Sequence, residues 1–269
     1  MDLSFSKMNG AGNDFVVVDN RDLALSLTRD QIARLCDRHR GVGADGLLAV
    51  EPAREGADFR MRYFNSDGGE ADMCGNGARC FARFAARLQP AQPGILSFET
   101  PAGIILARFD SGVVTINMSV PKDLRDPEVL NLEGGEQEVH SINTGVPHAV
   151  VFVERVESIN VRALGAAIRW HQAFAPKGTN ANFAEITDGG LVLRTYERGV
   201  EDETLACGTG VCAAALVHHL SSGQPSPIPV TVRGGDTLTV AFVRGEEGGF
   251  SEVTLTGPAD FVFEGVCSL

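Results

Sequence analysis

Long apolar runs are missing from this sequence. Stretches such as Phe15–Val18 and Ala149–Val153 are strand-sized, far short of the ~18 residues that a membrane-spanning helix needs. Basic residues are scarce as well: 23 Lys and Arg stand against 35 Asp and Glu, a formal net charge of -12. Nucleic acid and anionic membranes would repel such a chain, so neither is expected as a partner, and a small molecule is. The first residues show no basic n-region and no apolar h-region. The sequence therefore reads as a cytoplasmic protein without a signal peptide, whose six cysteines are expected as reduced thiols.

Cysteine spacing excludes more. There is no Cys-x-x-Cys pair: Cys74 and Cys80 are six apart, Cys207 and Cys212 five apart. The adjacent His218 and His219 would point apart on a helix, so no metal site is expected. Cys36, Cys80, Cys212 and Cys267 sit in apolar or helical surroundings and are expected as packed core thiols. A P-loop and a Gly-x-Ser-x-Gly motif are also absent. One G-x-G-x-x-G match, "GVGADG" from Gly41 to Gly46, follows a helical segment and precedes a strand. That is the reverse of the dinucleotide-binding context, so it implies no cofactor.

What the sequence does contain is an internal repeat. Shifted by 133 positions, "RYFNSDGGEADMCGNG" (Arg62 to Gly77) lies over "TYERGVEDETLACGTG" (Thr195 to Gly210). Tyr63 meets Tyr196, Asn65 meets Arg198, Glu70 meets Glu203 and Cys74 meets Cys207. Upstream, each half has a polar Gly loop leading into an apolar strand, then a helix, then a second Gly-rich turn and strand. The first of these helices starts at the capping-box spacing of Thr28 and Gln31; the second runs from about Asn160 to Trp170. Each Cys loop leads into a further helix, stopped by Pro90 in one half and by Gly223 with Pro225 in the other. Strands dominate the rest. The polar, Pro-, Gly- and acid-rich stretch from Pro121 to Gly135 breaks the pattern and reads as a linker.

The fold class expected is α/β (α+β). Two pseudo-symmetric domains each wrap a mostly antiparallel sheet or barrel around a central helix, with an active-site cleft between them. The domains are expected at 1–118 and 119–262, with the C-terminal strand 263–269 available to complete the first.

Gly-Asn-Gly and Gly-Thr-Gly at the mouths of two helices leave unpaired backbone N–H groups at the positive end of a dipole. Such a turn binds a carboxylate or phosphate, and the same field makes a cysteine there more acidic and reactive than an average thiol. Two such ends holding one carboxylate would set a substrate α-carbon between two thiols. One thiol could take a proton from one face while the other returns it on the opposite face, inverting the centre without a cofactor. The alternatives are two buried small residues at helix starts, or a Cys74–Cys207 disulfide as an oxidised, inactive form. Asn13, Asn65, Asn76, His148, Asn180, Glu197 and Arg198 fall in the repeated loops. Taken singly each is a commonplace turn-former, cap or solvated group; their shared place at strand ends near the Cys loops makes them candidates.

The motifs "KMNGAGNDFVVVD", "RHRGVGADGLL", "FNSDGGEADMCGNGARCFARF", "NTGVPH", "GTNANF" and "RTYERGVEDETLACGTGVCAAA" together resemble the diaminopimelate epimerases along nearly the whole chain. The resemblance implies a cofactor-independent enzyme of lysine biosynthesis that interconverts LL- and meso-2,6-diaminopimelate. It implies Cys74 and Cys207 as the acid/base pair, with His148 and Glu197 at the reacting end. Backbone N–H groups of Gly75, Asn76, Gly208 and Thr209 would hold the reacting carboxylate. Asn13, Asn65, Asn180 and Arg198 would hold the distal end, a guanidinium being suited to a carboxylate. It also implies a homodimer. The chain departs from the pattern at Val146 and Gly46, where some members carry Asn and Gln side chains that touch substrate. The nearest alternative is a related racemase of another amino acid, of the histidine or proline type, and Arg198 argues against it. A further alternative is a non-catalytic amino-acid binding protein, which would have no need of two intact Cys loops.

Overall fold

The N-terminal strand β1 (Asp2–Gly10) buries Leu3 and Phe5 alternately, whereas β2 (Asn13–Asp19) buries Phe15 through Val18 without a break. The difference follows from the pairing. β2 lies between β1, antiparallel to it, and β3 (Gly46–Pro52), parallel to it, and a strand inside such a sheet is covered on both faces. In the computed structural model, which describes residues 2–91 and 94–268, the crossover from β2 to β3 carries helix α1 (Arg29–Cys36). The capping box of Thr28 and Gln31 opens α1 as the spacing predicts.

The next segment builds the first Cys loop. β4 (Phe59–Asn65) runs antiparallel to β3, and the short β5 (Glu70–Ala71) folds back on β4. Helix α2 (Gly75–Arg87) follows at once. It buries Ala78, Cys80, Phe81, Ala82, Phe84, Ala85 and Ala86 together with Arg79, and only Arg83 and Arg87 on its basic side reach solvent beyond the first turn, so most of its surface is enclosed by other elements. The sheet continues with β6 (Ile95–Thr100) parallel to β4, then β7 (Gly103–Asp110) and β8 (Val113–Asn117) as an antiparallel meander. Helix α2 packs against β1 to β4, β6 and β7.

The same plan recurs. After β9 (Lys122–Leu132) come β10 (Gly135–Asn143), β11 (Pro147–Val153), α3 (Val161–Arg169) and β12 (Asn180–Thr187). Then follow β13 (Gly190–Glu197), β14 (Asp202–Thr204), helix α4 (Gly208–Ser222), β15 (Ile228–Val232), β16 (Thr237–Arg244) and β17 (Phe250–Pro258). β10, β11, β12 and β13 pair antiparallel, parallel and antiparallel, and β15 joins β13 in parallel, reproducing β1 to β4 and β6. β14 folds on β13 as β5 does on β4. Helix α4 lacks such a basic side, is buried around most of its girth and packs on β10 to β13, β15 and β16. Asn160 caps α3, and Gly223 ends α4. The last strand, β18 (Asp260–Ser268), pairs antiparallel with β1, the place that β9 fills beside β10.

The stretch read as a linker is therefore largely a strand. β9 spans most of Pro121 to Gly135, with eight of its eleven residues fully exposed and irregular register against β10. Its Lys, Asp, Arg and Pro residues suit an exposed edge strand, where charge and Pro discourage further pairing, and this composition resembles that of a linker.

By their internal contacts the residues fall into two compact units, Met1–Ile116 with Thr256–Leu269, and Asn117–Leu255. The sequence reading sets the borders at 118/119 and 262/263. Pairing of β18 with β1 begins at Asp260, ahead of the second of those borders. Met1 and Leu269 lie outside the described residues.

Candidate active site

In the first unit, Cys74 is the N-cap of α2, with extended backbone (φ -137°, ψ 121°). Its Sγ accepts the Gly77 N–H at 3.5 Å, and its carbonyl accepts the Ala78 N–H at 2.7 Å. Gly75 and Asn76 form the first turn, whose N–H groups have no partner within the helix. The Asn76 side chain is fixed on both sides. Its Nδ2 donates to Asn13 Oδ1 at 2.7 Å, and its Oδ1 accepts from Arg79 Nη2 at 2.9 Å. Asn13 in turn donates to Asp45 Oδ2 at 2.9 Å.

A charged cluster anchors this chain. Arg38 bridges Asp45 and Asp14, and Lys7 pairs with Asp14 at 2.8 Å and donates to the Gly43 carbonyl. Burial alone would raise the Asp14 carboxyl, but hydrogen bonds and charge from Arg38 and Lys7 outweigh it and hold it at about 2. Arg79 is wholly buried inside the unit, and its guanidinium is distributed over the carbonyls of Pro258, Gly75 and Gly10 and the Asn76 amide. Asn13 and Asn76 thus meet directly. Asn65 stands apart from that pair at the end of β4, opposite Gly46 in register and accepting from the Tyr63 hydroxyl at 2.7 Å. A Cβ on Gly46 would lie 2.4 Å from the Phe64 carbonyl oxygen and 2.8 Å from the Tyr63 ring. The departure at this position is thus built into the packing: no side chain fits there without moving Tyr63.

In the second unit, Cys207 caps α4 in the same way (φ -128°, ψ 108°), but its partner is a side chain: Sγ lies 3.4 Å from Thr209 Oγ1. Thr209 Oγ1 also lies 2.9 Å from His148 Nε2, and its carbonyl accepts from Thr144 Oγ1 at 2.8 Å. Pro147 and His148 open β11, which delivers the imidazole to the first turn of α4. The ring is 1% exposed, and burial, helped by the positive charge of Arg198, pushes it down to about 3, so it is neutral at ordinary pH. Asn180, paired with His148 across β11 and β12, donates to the Pro147 carbonyl at 2.9 Å and accepts the Arg198 N–H at 2.9 Å. Arg198 also donates from Nη1 to the Gly178 carbonyl at 3.4 Å. Glu197 accepts from Thr204 Oγ1 at 3.0 Å.

Among the described residues no disulfide joins the cysteines. Burial raises Cys36 to about 11 and Cys80 to about 12, so neither is a reagent at neutral pH. Cys267 is half-buried on the terminal strand and packs against a hydrophobic core cluster of the first unit. Among the described residues, no group of three or more His, Cys, Asp or Glu is placed to hold a metal ion, and no helix is long and apolar enough to cross a membrane.

Three side chains at the two sites escape the sequence reading: Arg79, Asn182 and Thr195. Arg79 is one of three arginines at four-residue spacing on α2, with Arg83 and Arg87, and only its complete burial sets it apart. Asn182 lies two positions after Asn180 on one strand, hence on the same face. Thr195 becomes its neighbour only through the β12–β13 register.

A sequence model of the family described as diaminopimelate epimerase matches residues 5–121 and 140–262. The chain is 43% identical to the diaminopimelate epimerase of Aquifex aeolicus, covering 98% of this chain and 97% of that one. It is 42% identical to that of Chlorobaculum tepidum, over 97% and 100%. Two solved structures share the fold at low identity. One is a PhzF-family phenazine biosynthesis protein of Bacillus anthracis (18% identical, TM-score 0.75, full coverage of both chains). The other is a hydroxyproline epimerase of Agrobacterium vitis (17%, TM-score 0.71, covering 98% of this chain and 92% of that one). The chain belongs to the diaminopimelate epimerase family of isomerases.

Proposed function

We propose that this protein interconverts LL- and meso-2,6-diaminopimelate, using Cys74 and Cys207 as the two acid/base thiols and no cofactor. The observation that carries the reading is the repeated cap: topologically equivalent helices each begin with Cys followed by a Gly-rich first turn. Inverting an amino-acid α-carbon requires a base for one face and an acid for the other, and one thiol takes each role. The thiolate removes the α-proton, the electron pair delocalises into the adjacent carboxylate, and the second thiol delivers a proton to the opposite face. The N–H groups of Gly75, Asn76, Gly208 and Thr209 bind that carboxylate and stabilise the charge that develops on it. His148, neutral and held on Thr209, and Glu197 serve the reacting end. Arg198, with Asn13, Asn65 and Asn180, selects a substrate carrying a second carboxylate. The family resemblance further supports a cytoplasmic homodimer in lysine biosynthesis, the dimer being open to sedimentation analysis.

The test is incubation of the purified protein with LL-diaminopimelate in D2O. Loss of the α-proton signal with appearance of the meso isomer is expected. Exchange without inversion, or no exchange, refutes the assignment. Comparable racemisation of histidine or proline would transfer it to the related racemases.

A further inference from the structure

The hydrogen bonds around Asn182 have only one consistent proton assignment. Its Nδ2 lies 3.0 Å from the Ala149 carbonyl oxygen, which only accepts, and its Oδ1 accepts from Thr195 Oγ1 at 3.0 Å. The amide orientation is therefore fixed by the Ala149 carbonyl, and the Thr195 hydroxyl, able to donate or accept, is left to donate. The second Nδ2 hydrogen faces His148 Nδ1 at 3.1 Å, so Nδ1 accepts and the neutral ring carries its proton on Nε2. Nε2–H then donates to Thr209 Oγ1, 2.9 Å away. Having accepted there, the Thr209 hydroxyl keeps its own hydrogen to offer, and a Cys207 thiolate, which only accepts, would receive it across the 3.4 Å between Oγ1 and Sγ.

We propose that Asn182 is a positioning residue for the reaction: it holds His148 as the Nε2–H tautomer and thereby directs the Thr209 hydroxyl proton at Cys207, stabilising that thiol as a thiolate. This rests on Cys207 acting as an acid/base thiol. Asn182 is wholly buried, and the site is closed around it, since a Cβ on Gly210 would lie 2.4 Å from its Oδ1. A buried amide with each polar group bonded to a different element is a costly arrangement if it serves packing alone. The burial that keeps His148 neutral removes the imidazolium, which would present an N–H on both sides and abolish the acceptor at Nδ1. The first unit is built differently at the equivalent cap. There Cys74 accepts a backbone N–H, and the Asn76 side chain is committed to Asn13 and Arg79.

The tautomer is read directly from long-range 1H–15N correlation spectra of protein labelled with 15N-histidine, the His148 signals being assigned by their loss in His148→Gln. Nε2–H is expected in the wild type. Asn182→Asp, whose carboxylate only accepts, should switch the ring to Nδ1–H and turn the Thr209 hydroxyl toward it. Thr209→Val removes the hydroxyl but keeps the N–H, and should lower kcat by about 10- to 150-fold, the range for a hydrogen bond to a charged group, with a smaller change in KM. Thr209→Ser should restore most of it. Asn182→Asp added to Thr209→Val should cost little more, because both act through one proton. Nδ1–H in an active wild type overturns the inference, as does full kcat in Thr209→Val or additive losses in the double variant. If Asn182→Asp fails to fold, the wild-type tautomer and the Thr209 pair still decide. A wild type with Nε2–H that exchanges no α-proton of diaminopimelate overturns the functional reading, and with it the relay's catalytic role, while the tautomer assignment stands.

Discussion

Gly77 and Gly210 occupy equivalent places in the repeat, the third residue of α2 and of α4, yet substitution by Ala should act on them in opposite directions. At Gly77 an added Cβ would meet only the side chains of Leu48 and Phe15, at 3.4 Å. That is ordinary van der Waals contact, and Ala is a better helix former than Gly by up to about 1 kcal/mol. Gly77→Ala should be neutral or stabilising by up to that amount. At Gly210 the Cβ would lie 2.4 Å from Asn182 Oδ1. Relieving the clash means moving an amide held by Thr195, His148 and the Ala149 carbonyl. Overpacking costs about 1–3 kcal/mol, and orphaning one buried polar group costs about 1–3 kcal/mol more. After the gain in helix propensity of about 1 kcal/mol, Gly210→Ala should destabilise by about 1–5 kcal/mol. Urea denaturation followed by circular dichroism measures both variants, and hydrogen exchange locates the change to α4 or α2. Equal stabilities for the two variants would refute the reasoning, because propensity alone makes them the same.

Other outcomes follow from the same geometry. Cys74→Ala or Cys207→Ala should abolish inversion while leaving circular dichroism unchanged, and Cys36→Ala should retain activity; wild-type turnover in either of the first two rules out a two-thiol mechanism. Arg198→Ala should lose about 30- to several-thousand-fold in kcat/KM for diaminopimelate, the cost of leaving a buried charge unpaired being about 2–5 kcal/mol. Lysine, with no distal carboxylate, should be a very poor substrate of the wild type, and efficient lysine racemisation would contradict the role given to Arg198. The folded-state pKa of His148, about 3, lies below its unfolded value of roughly 6.5, so the unfolded chain binds the extra proton between those limits. Its contribution to stability should be complete above about pH 6.5 and decline toward pH 3, by up to about 1.4 kcal/mol per pH unit. Urea midpoints from pH 7 to pH 4 should show a slope that His148→Gln flattens, and an unchanged slope in that variant would assign the acid sensitivity to other groups.

Backbone order was legible where chemistry constrains it locally. The capping box at Thr28, the Asn160 cap, the Gly223 stop and the two Cys caps are each written within a few residues, and each is where the sequence places it. The repeat was legible because duplication preserves spacing. Pro121–Gly135 was misread because an exposed edge strand has the composition of a linker; only its partner β10 makes it a strand. Asn182, Thr195 and Arg79 were missed for a related reason. Their roles depend on register between strands and on burial, and a buried Asn looks the same in a sequence as a solvated one.

That division also explains why two thiols can do unlike work on one scaffold. The repeat sets the cap geometry, so both cysteines have extended backbone at the start of a helix whose first N–H groups have no partner within the helix backbone. What surrounds each sulfur comes instead from side chains that the repeat did not preserve. Asn76 occupies the place of Thr209 and bonds Asn13 and Arg79, while Cys74 Sγ accepts the Gly77 N–H. Thr209 is turned toward Cys207, with His148 behind it. A reaction that runs in both directions needs each thiol to serve as acid and as base, but nothing requires the two to rest in the same protonation state. Duplication supplies the equivalent caps, and on the proposed mechanism the divergence at Thr209, His148 and Asn182 would favour the thiolate at Cys207.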